Sequence, residues 1–189
     1  MPRIARNATL VSNCNHVICR GNNRRKIFFS DSDRAKYLDI VAKYQLQYGF
    51  LIYHYVLMSN HVHLVISQEN QINFSNAMQC INQAYSWHAR KMRRKRGHLW
   101  EERYKHIGIE DDEHLLTCGL YTELNPVRAG MVNDPSQWQW SSYAHYAFGD
   151  PNPLITDSPG YSSLGTTPAE RQRVYQKLAN MWISERRFK

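Results

Sequence analysis

Acidic residues are missing from two long stretches of this 189-residue chain: none lies in residues 1–30 and none in residues 70–100. Each window holds six Lys/Arg, so together they carry half of the 24 basic residues, while all 16 acids lie elsewhere. Charge segregated in this way is the footprint expected of a polyanion partner, because each neutralised phosphate adds salt-dependent affinity. An apolar run near 18 residues is also missing, so no membrane-spanning helix is expected. The opening MPRIARNATL lacks the apolar core of a signal peptide, and a cytoplasmic protein is expected. Cysteine is scarce: Cys14 and Cys19 have no second pair at matching spacing, and Cys80 and Cys118 stand alone. That pattern speaks for buried, reduced thiols rather than a zinc ribbon. There is no G-x-S-x-G elbow and no phosphate-binding glycine loop, so neither a serine hydrolase nor a nucleotide hydrolase is indicated.

What is present alternates between strand and helix patterns. Residues 9–19 read as a first strand, closed by the basic Gly/Asn turn Arg20–Lys26. Asp31 or Ser32 can cap a helix whose apolar stripe runs to about Tyr48, where Gly49 stops it. Residues 50–57 and 61–67 are β-rich and joined by Met58–Asn60, which predicts a hairpin. A second helix fits residues 73–95, a further strand 99–109, and a helix beginning at Asp111–Glu113 and ending, kinking or restarting at Pro126. A last amphipathic helix fits 168–184. The order predicts an α+β fold, a ferredoxin-like or RRM-like antiparallel sheet with helices packed on one face.

The strand HVHLVIS sets His61 and His63 on one face and Val62, Leu64 and Ile66 on the other. Two neutral imidazoles side by side can ligate a metal, although an H-x-H pair also fits two solvent-facing or core histidines. Downstream, Tyr121 and Asn125 share a helix face at i, i+4. The amide oxygen of Asn125 can complete a divalent-ion site, and Tyr121 beside it can serve as a nucleophile. Twelve tyrosines are present, and spacing alone does not choose among Tyr85, Tyr104 and Tyr121.

His61-Val-His63 followed by Tyr121-Thr-Glu-Leu-Asn-Pro-Val-Arg-Ala-Gly130 resembles the HUH single-tyrosine transposases, in particular the REP-associated tyrosine transposases. Further matching pieces are Arg20–Arg24, Leu57–Leu64, Arg103–Lys105 and Trp140–Tyr143, in order between residues 9 and 146. The resemblance implies an HUH endonuclease fold over residues 1–150, with 151–189 as a C-terminal tail carrying the last helix. It implies His61, His63 and Asn125 as ligands of Mg²⁺ or Mn²⁺, and Tyr121 as the nucleophile that forms a 5′-phosphotyrosine. Insertion-sequence relatives often carry Gln at the position of Asn125; the shorter side chain fits the REP-associated branch. The implied partner is single-stranded or hairpin DNA of REP-like palindromes, and the setting a bacterial nucleoid, with the protein acting as a monomer or homodimer. Candidate DNA contacts are Arg20, Asn22, Asn23, Arg24, Arg25, Lys26, Arg90, Arg93, Arg94, Arg96, Arg103, Lys105 and Arg128, with Trp100, Tyr104 or Trp140 to stack on unpaired bases. Two rival readings are a non-catalytic hairpin-binding protein and a metal-dependent nuclease that uses water.

Overall fold

The computed structural model describes residues 13–68, 70–93 and 97–185. Four antiparallel strands, β1 (Cys14–Arg20), β2 (Leu51–Leu57), β3 (His61–Ser67) and β4 (Lys105–Ile109), form one sheet in the order β2-β3-β1-β4. Residues 9–12 of the expected first strand lie outside the described residues. The β2–β3 hairpin closes through Met58 N–H donating to the His61 carbonyl at 2.9 Å. The free edge of β2 is covered by residues 140–142: Leu57 N–H donates to Trp140 O at 2.9 Å and Ser142 N–H to Tyr55 O at 3.0 Å. A covered edge cannot template pairing with another chain.

Two helices cover one face. α1 (Asp31–Tyr48) and α2 (Gln71–Arg93) pack Tyr37, Val41, Met78, Ile81 and Tyr85 onto Val17, Leu64 and Ile66. The cap of α1 is Ser30, not Asp31 or Ser32. Ser30 is extended, its Oγ accepts from Asp33 N–H at 3.3 Å, and Asp33 Oδ2 accepts from Ser30 N–H at 3.3 Å. That reciprocal pair satisfies two helix-end donors and outcompetes the next two residues. Gly49 ends α1 in the left-handed region (φ 67°), which a glycine adopts at no steric cost.

The expected strand 99–109 forms only over its last five residues. Residues 99–102 instead run against the end of β1 and the side of α2: Asn22 N–H donates to Leu99 O at 2.8 Å, Glu101 N–H to Arg20 O at 2.9 Å, and Trp100 Nε1 to Asn82 O at 2.9 Å. α3 (Asp112–Glu123) then crosses the opposite face of the sheet, so helices lie on both faces rather than one. Leu115 and Cys118 close a small core with Val65 and Ile109. Pro126 restarts the chain as a short helix, α4 (Asn125–Arg128), in which proline occupies a first-turn position needing no N–H. α5 (Tyr143–Phe148), α6 (Pro159–Ser162) and α7 (Pro168–Ser184) complete the chain, and Tyr143, Tyr146, Tyr161 and Tyr175 share a second core with Leu120 and Leu124.

Glu123 fixes α3 to all of this. Its side chain is fully buried and takes three partners: His54 Nδ1 of β2 at 2.9 Å, Ser142 Oγ at 2.5 Å and Tyr175 Oη of α7 at 2.6 Å. One turn earlier, Gly119 lets the helix settle on the His54 ring; a Cβ there would lie 2.4 Å from His54 Nε2. Removing a buried carboxyl that satisfies three groups costs about 3–5 kcal/mol. Glu123→Ala is therefore expected to lower stability by roughly that amount, and Tyr175→Phe by about 1–2 kcal/mol. Urea unfolding midpoints read both; a Glu123→Ala midpoint close to the wild-type value would remove Glu123 from this role.

Candidate active site

The face of the sheet that looks toward the end of α3 carries His16 and Arg20 from β1 beside His63 and His61 from β3, with Ile18 directly opposite His63 and Arg20 opposite His61. The rings of His61 and His63 are 4.9 Å apart. His63 is 5 % exposed, and its ring stacks on that of His16 at 5.0 Å, with Nδ1 of His63 2.8 Å from Nε2 of His16. The His16 ring meets Tyr121 edge-on at 6.4 Å. Arg128, one turn past Asn125, lays its guanidinium over the Tyr121 ring at 4.1 Å and reaches Asn125 Oδ1 at 3.4 Å. Tyr121, Asn125, His61 and His63, selected from the sequence, thus meet in one cluster with Arg20 and Arg128.

The hydrogen bonds leave a ring nitrogen of His61 and of His63 free where a ligand would need it, while Asn125 Oδ1 faces Arg128. His61 Nδ1 donates to Asn60 Oδ1 at 2.6 Å, which puts the proton on Nδ1 and the lone pair on Nε2. His63 reaches the same state when its Nδ1–H donates to His16. Asn125 Nδ2 donates to the carbonyls of Tyr121 (3.0 Å) and Thr122 (3.1 Å), so its Oδ1 is turned away from its own helix backbone. Burial holds all three imidazoles neutral: His16 and His61 are pulled down to about 4, and His63 falls well below its ordinary value. Electrostatic interaction with neighbouring groups adds to this, His114 acting on His16, Arg20 on His61, and His16, His61, Arg128 and Arg20 on His63. Neutral imidazoles, each with a partner on Nδ1, and an oriented amide oxygen are the donor chemistry a divalent ion takes, so the residues fit the expected ion. Among the described residues no group of three or more His, Cys, Asp or Glu is arranged to hold a metal ion; the set here is two histidines and an amide.

His16 and Asn60 were missed in the sequence. Only the strand register places His16 next to His63, and nothing in local spacing gives that register. Of the candidate DNA contacts, Arg24, Arg25, Lys26, Arg90 and Arg103 are exposed, and Asn22 and Asn23 lie in the turn after β1. Lys105 pairs with Glu102 at 3.3 Å. Arg93 is held inside the protein, paired with Asp33, donating to Ile27 O at 3.3 Å and stacked on Phe29 at 3.8 Å. Arg94 and Arg96 lie outside the described residues. Of the three aromatic candidates, Tyr104 is buried with its hydroxyl 3.1 Å from Ser75 Oγ, and Trp140 Nε1 donates to Asp31. Trp100 lines a cavity. The four cysteines are free thiols, and no helix among the described residues is long and apolar enough to cross a membrane.

A four-stranded antiparallel sheet of this order, with helices on both faces, defines an α+β domain, and comparison with known proteins gives its family. Residues 10–124 match the model of the IS200-like transposases, and the chain belongs to that family. Among solved structures, a REP-associated tyrosine transposase bound to a REP hairpin superposes with a TM-score of 0.65 at 19 % identity, covering 85 % of this chain and 96 % of that one. The shared fold is thereby established. A candidate transposase from Deinococcus radiodurans R1 aligns over 62 % of this chain and 92 % of its own, with a TM-score of 0.44 and 15 % identity. No curated protein matches the sequence.

The low values for His16, His61 and His63 carry a sign for stability. In the unfolded chain these rings protonate near 6.5, whereas in the fold His16 and His61 stay neutral to about pH 4 and His63 is likewise held well below its ordinary value. Between those values the unfolded state binds more protons, so stability falls as pH falls, by up to about 1.4 kcal/mol per pH unit for each ring. Urea midpoints measured in chelator at pH 7, 6 and 5 should decline in step, and His16→Gln should flatten the decline. A midpoint that rises on acidification would contradict neutral buried rings.

Proposed function

We propose that the chain is a metal-dependent DNA strand transferase that nicks and rejoins single-stranded DNA at REP-type hairpins through Tyr121. The observation that carries this reading is the placement of Tyr121 against the His16–His63 pair, with Arg128 on its ring, in a chain of the IS200-like transposase family. His61, His63 and Asn125 would hold Mg²⁺ or Mn²⁺. When bound, such an ion supplies charge for a scissile phosphate. Hydrogen bonds donated by Nδ1 of His61 to Asn60 and by Nδ1 of His63 to His16 keep the two ligand rings in the tautomer that offers Nε2.

Arg20 and Arg128 flank the cluster and bind the non-bridging oxygens of the phosphate. The Tyr121 oxygen attacks phosphorus as the bond to the 3′-oxygen breaks. The strand leaves with a 3′-hydroxyl, and the protein keeps the 5′-phosphate as a tyrosyl ester. An incoming 3′-hydroxyl reverses the step and releases Tyr121, so strands rejoin without a nucleotide cofactor. The hairpin as substrate rests on the bound hairpin of the similar REP-associated transposase.

Labelled hairpin DNA with single-stranded flanks, incubated with Mn²⁺ and resolved under denaturing conditions, tests the reaction. Wild type should yield a covalent protein–DNA band; Tyr121→Phe should bind the hairpin and yield none. Free 5′-phosphate ends from both proteins would instead indicate water as nucleophile, and binding without cleavage a non-catalytic role. His61→Ala or His63→Ala should lose the adduct at every Mn²⁺ concentration. His16 tests the second layer. In Mn²⁺ titrations followed by electron paramagnetic resonance, His16→Ala should weaken ion binding by about tenfold or more, the usual effect of losing a group that orients a ligand. Unchanged Mn²⁺ affinity would make His16 a packing residue only.

A further inference from the structure

The strand register puts Val65, His16 and Ile107 in one row across β3, β1 and β4, and His63, Ile18 and Lys105 in the next. Both rows share the face that meets Tyr121, because the His16 ring stacks on that of His63 and touches the Tyr121 ring. α3 closes over the end of β4 at Ile109, which packs with Leu115, Cys118 and Val65. The cover stops there: Ile107 is 57 % exposed, although His16 directly opposite it is buried. A single exposed isoleucine is ordinary on a protein surface. This one lies one strand away from the ring that Tyr121 touches, and the half-buried Ile18 is its diagonal neighbour on β1, within reach of the same flat ligand.

The charge along this apolar strip has a direction. Arg20 stands opposite His61, and Lys105 and Arg103 are exposed at the same end. Glu110, Asp111 and Asp112, all exposed, stand at the other end beyond Ile109. Lys105 is paired with Glu102, but both side chains are open to water, so the pair holds the lysine only weakly. A polyanion crossing the face is therefore drawn to the Lys105 end and repelled from the α3 start.

We propose that the Ile18–Ile107 strip seats the unpaired bases next to the scissile phosphate, with the strand running on over Lys105 and Arg103. Bases lie with their faces on the two isoleucines, a contact that every base can make and that reads no base edge. The strip thus steadies the strand beside Tyr121 without choosing its sequence. The inference rests on single-stranded DNA as the substrate, but it uses neither the metal ligands nor the reaction at Tyr121.

Two fluorescein-labelled 12-mers of equal charge, one of dT and one of abasic tetrahydrofuran units, separate base contacts from phosphate contacts. Each is titrated into the full chain in EDTA and followed by anisotropy. Wild type should prefer the dT 12-mer by about tenfold, and Ile107→Ala should cut that preference by about fivefold. Ile107→Phe, which restores an apolar surface, should keep the wild-type preference or raise it. Leu51→Ala, at an exposed apolar position on the opposite edge strand β2, should leave it unchanged. No preference in wild type, no binding of either 12-mer, an unchanged preference in Ile107→Ala, or equal losses in Ile107→Ala and either of the other variants would each overturn the proposal. The tyrosyl-adduct assay reports separately on the reaction, so loss of one reading leaves the other standing.

Discussion

Glu123 is a carboxyl side chain with no access to water, and the placement of α3 follows from how its two oxygens are satisfied. Oε1 takes His54 from β2 and Ser142 from the segment that covers the β2 edge; Oε2 takes Tyr175 from α7. The group thus joins the sheet, the edge cover and the C-terminal helix at one point. The desolvation of such a group is repaid only when every partner is in place. A slide or rotation of α3 would break several of these bonds at once. The helix therefore has one favourable position on the sheet.

That constraint lies two residues from Tyr121 and reaches the site through helix geometry. Gly119 and Glu123 are i, i+4 and settle on His54. Tyr121 and Asn125, offset by two residues, are directed to a different side, where His16 and His63 lie. Anchoring one side of the helix fixes the other. Pro126 contributes at the next step: by restarting the chain as α4 it turns Arg128 back over the Tyr121 ring and toward Asn125.

Much of this was legible in the sequence, for reasons that differ by residue. The faces of β3 follow from a period of two, and the joint position of Tyr121 and Asn125 follows from a period near four; both are local rules. The strand and helix order gave the antiparallel α+β fold. His16 was not legible, because its partner is 47 positions away and only the β1–β3 register joins them. The network at Glu123 was hidden for the same reason, since His54, Ser142 and Tyr175 come from three separate elements. The 99–109 segment reads as a strand throughout, yet tertiary bonds to Asn22, Arg20 and Asn82 take its first residues out of the sheet. Arg93 reads as one cation in a basic run, and only the fold shows it turned inward to Asp33.

The charge around the histidines bears on what the site will accept. Beside burial, two guanidinium groups bear on these rings: Arg20 on His61 and His63, and Arg128 on His63. On the proposed reading the ion is held by two neutral imidazoles and a neutral amide, so the donor set itself compensates none of its double positive charge. Two guanidinium groups nearby add to the excess. Such a site is completed by an anionic oxygen, and a DNA phosphodiester brings two non-bridging ones in a geometry suited to guanidinium groups. Ion and strand then strengthen each other's binding, since either one alone meets an uncompensated field. On that reading the basic windows at 1–30 and 70–100 answer the same physical requirement, charge to be neutralised by the phosphates of the substrate.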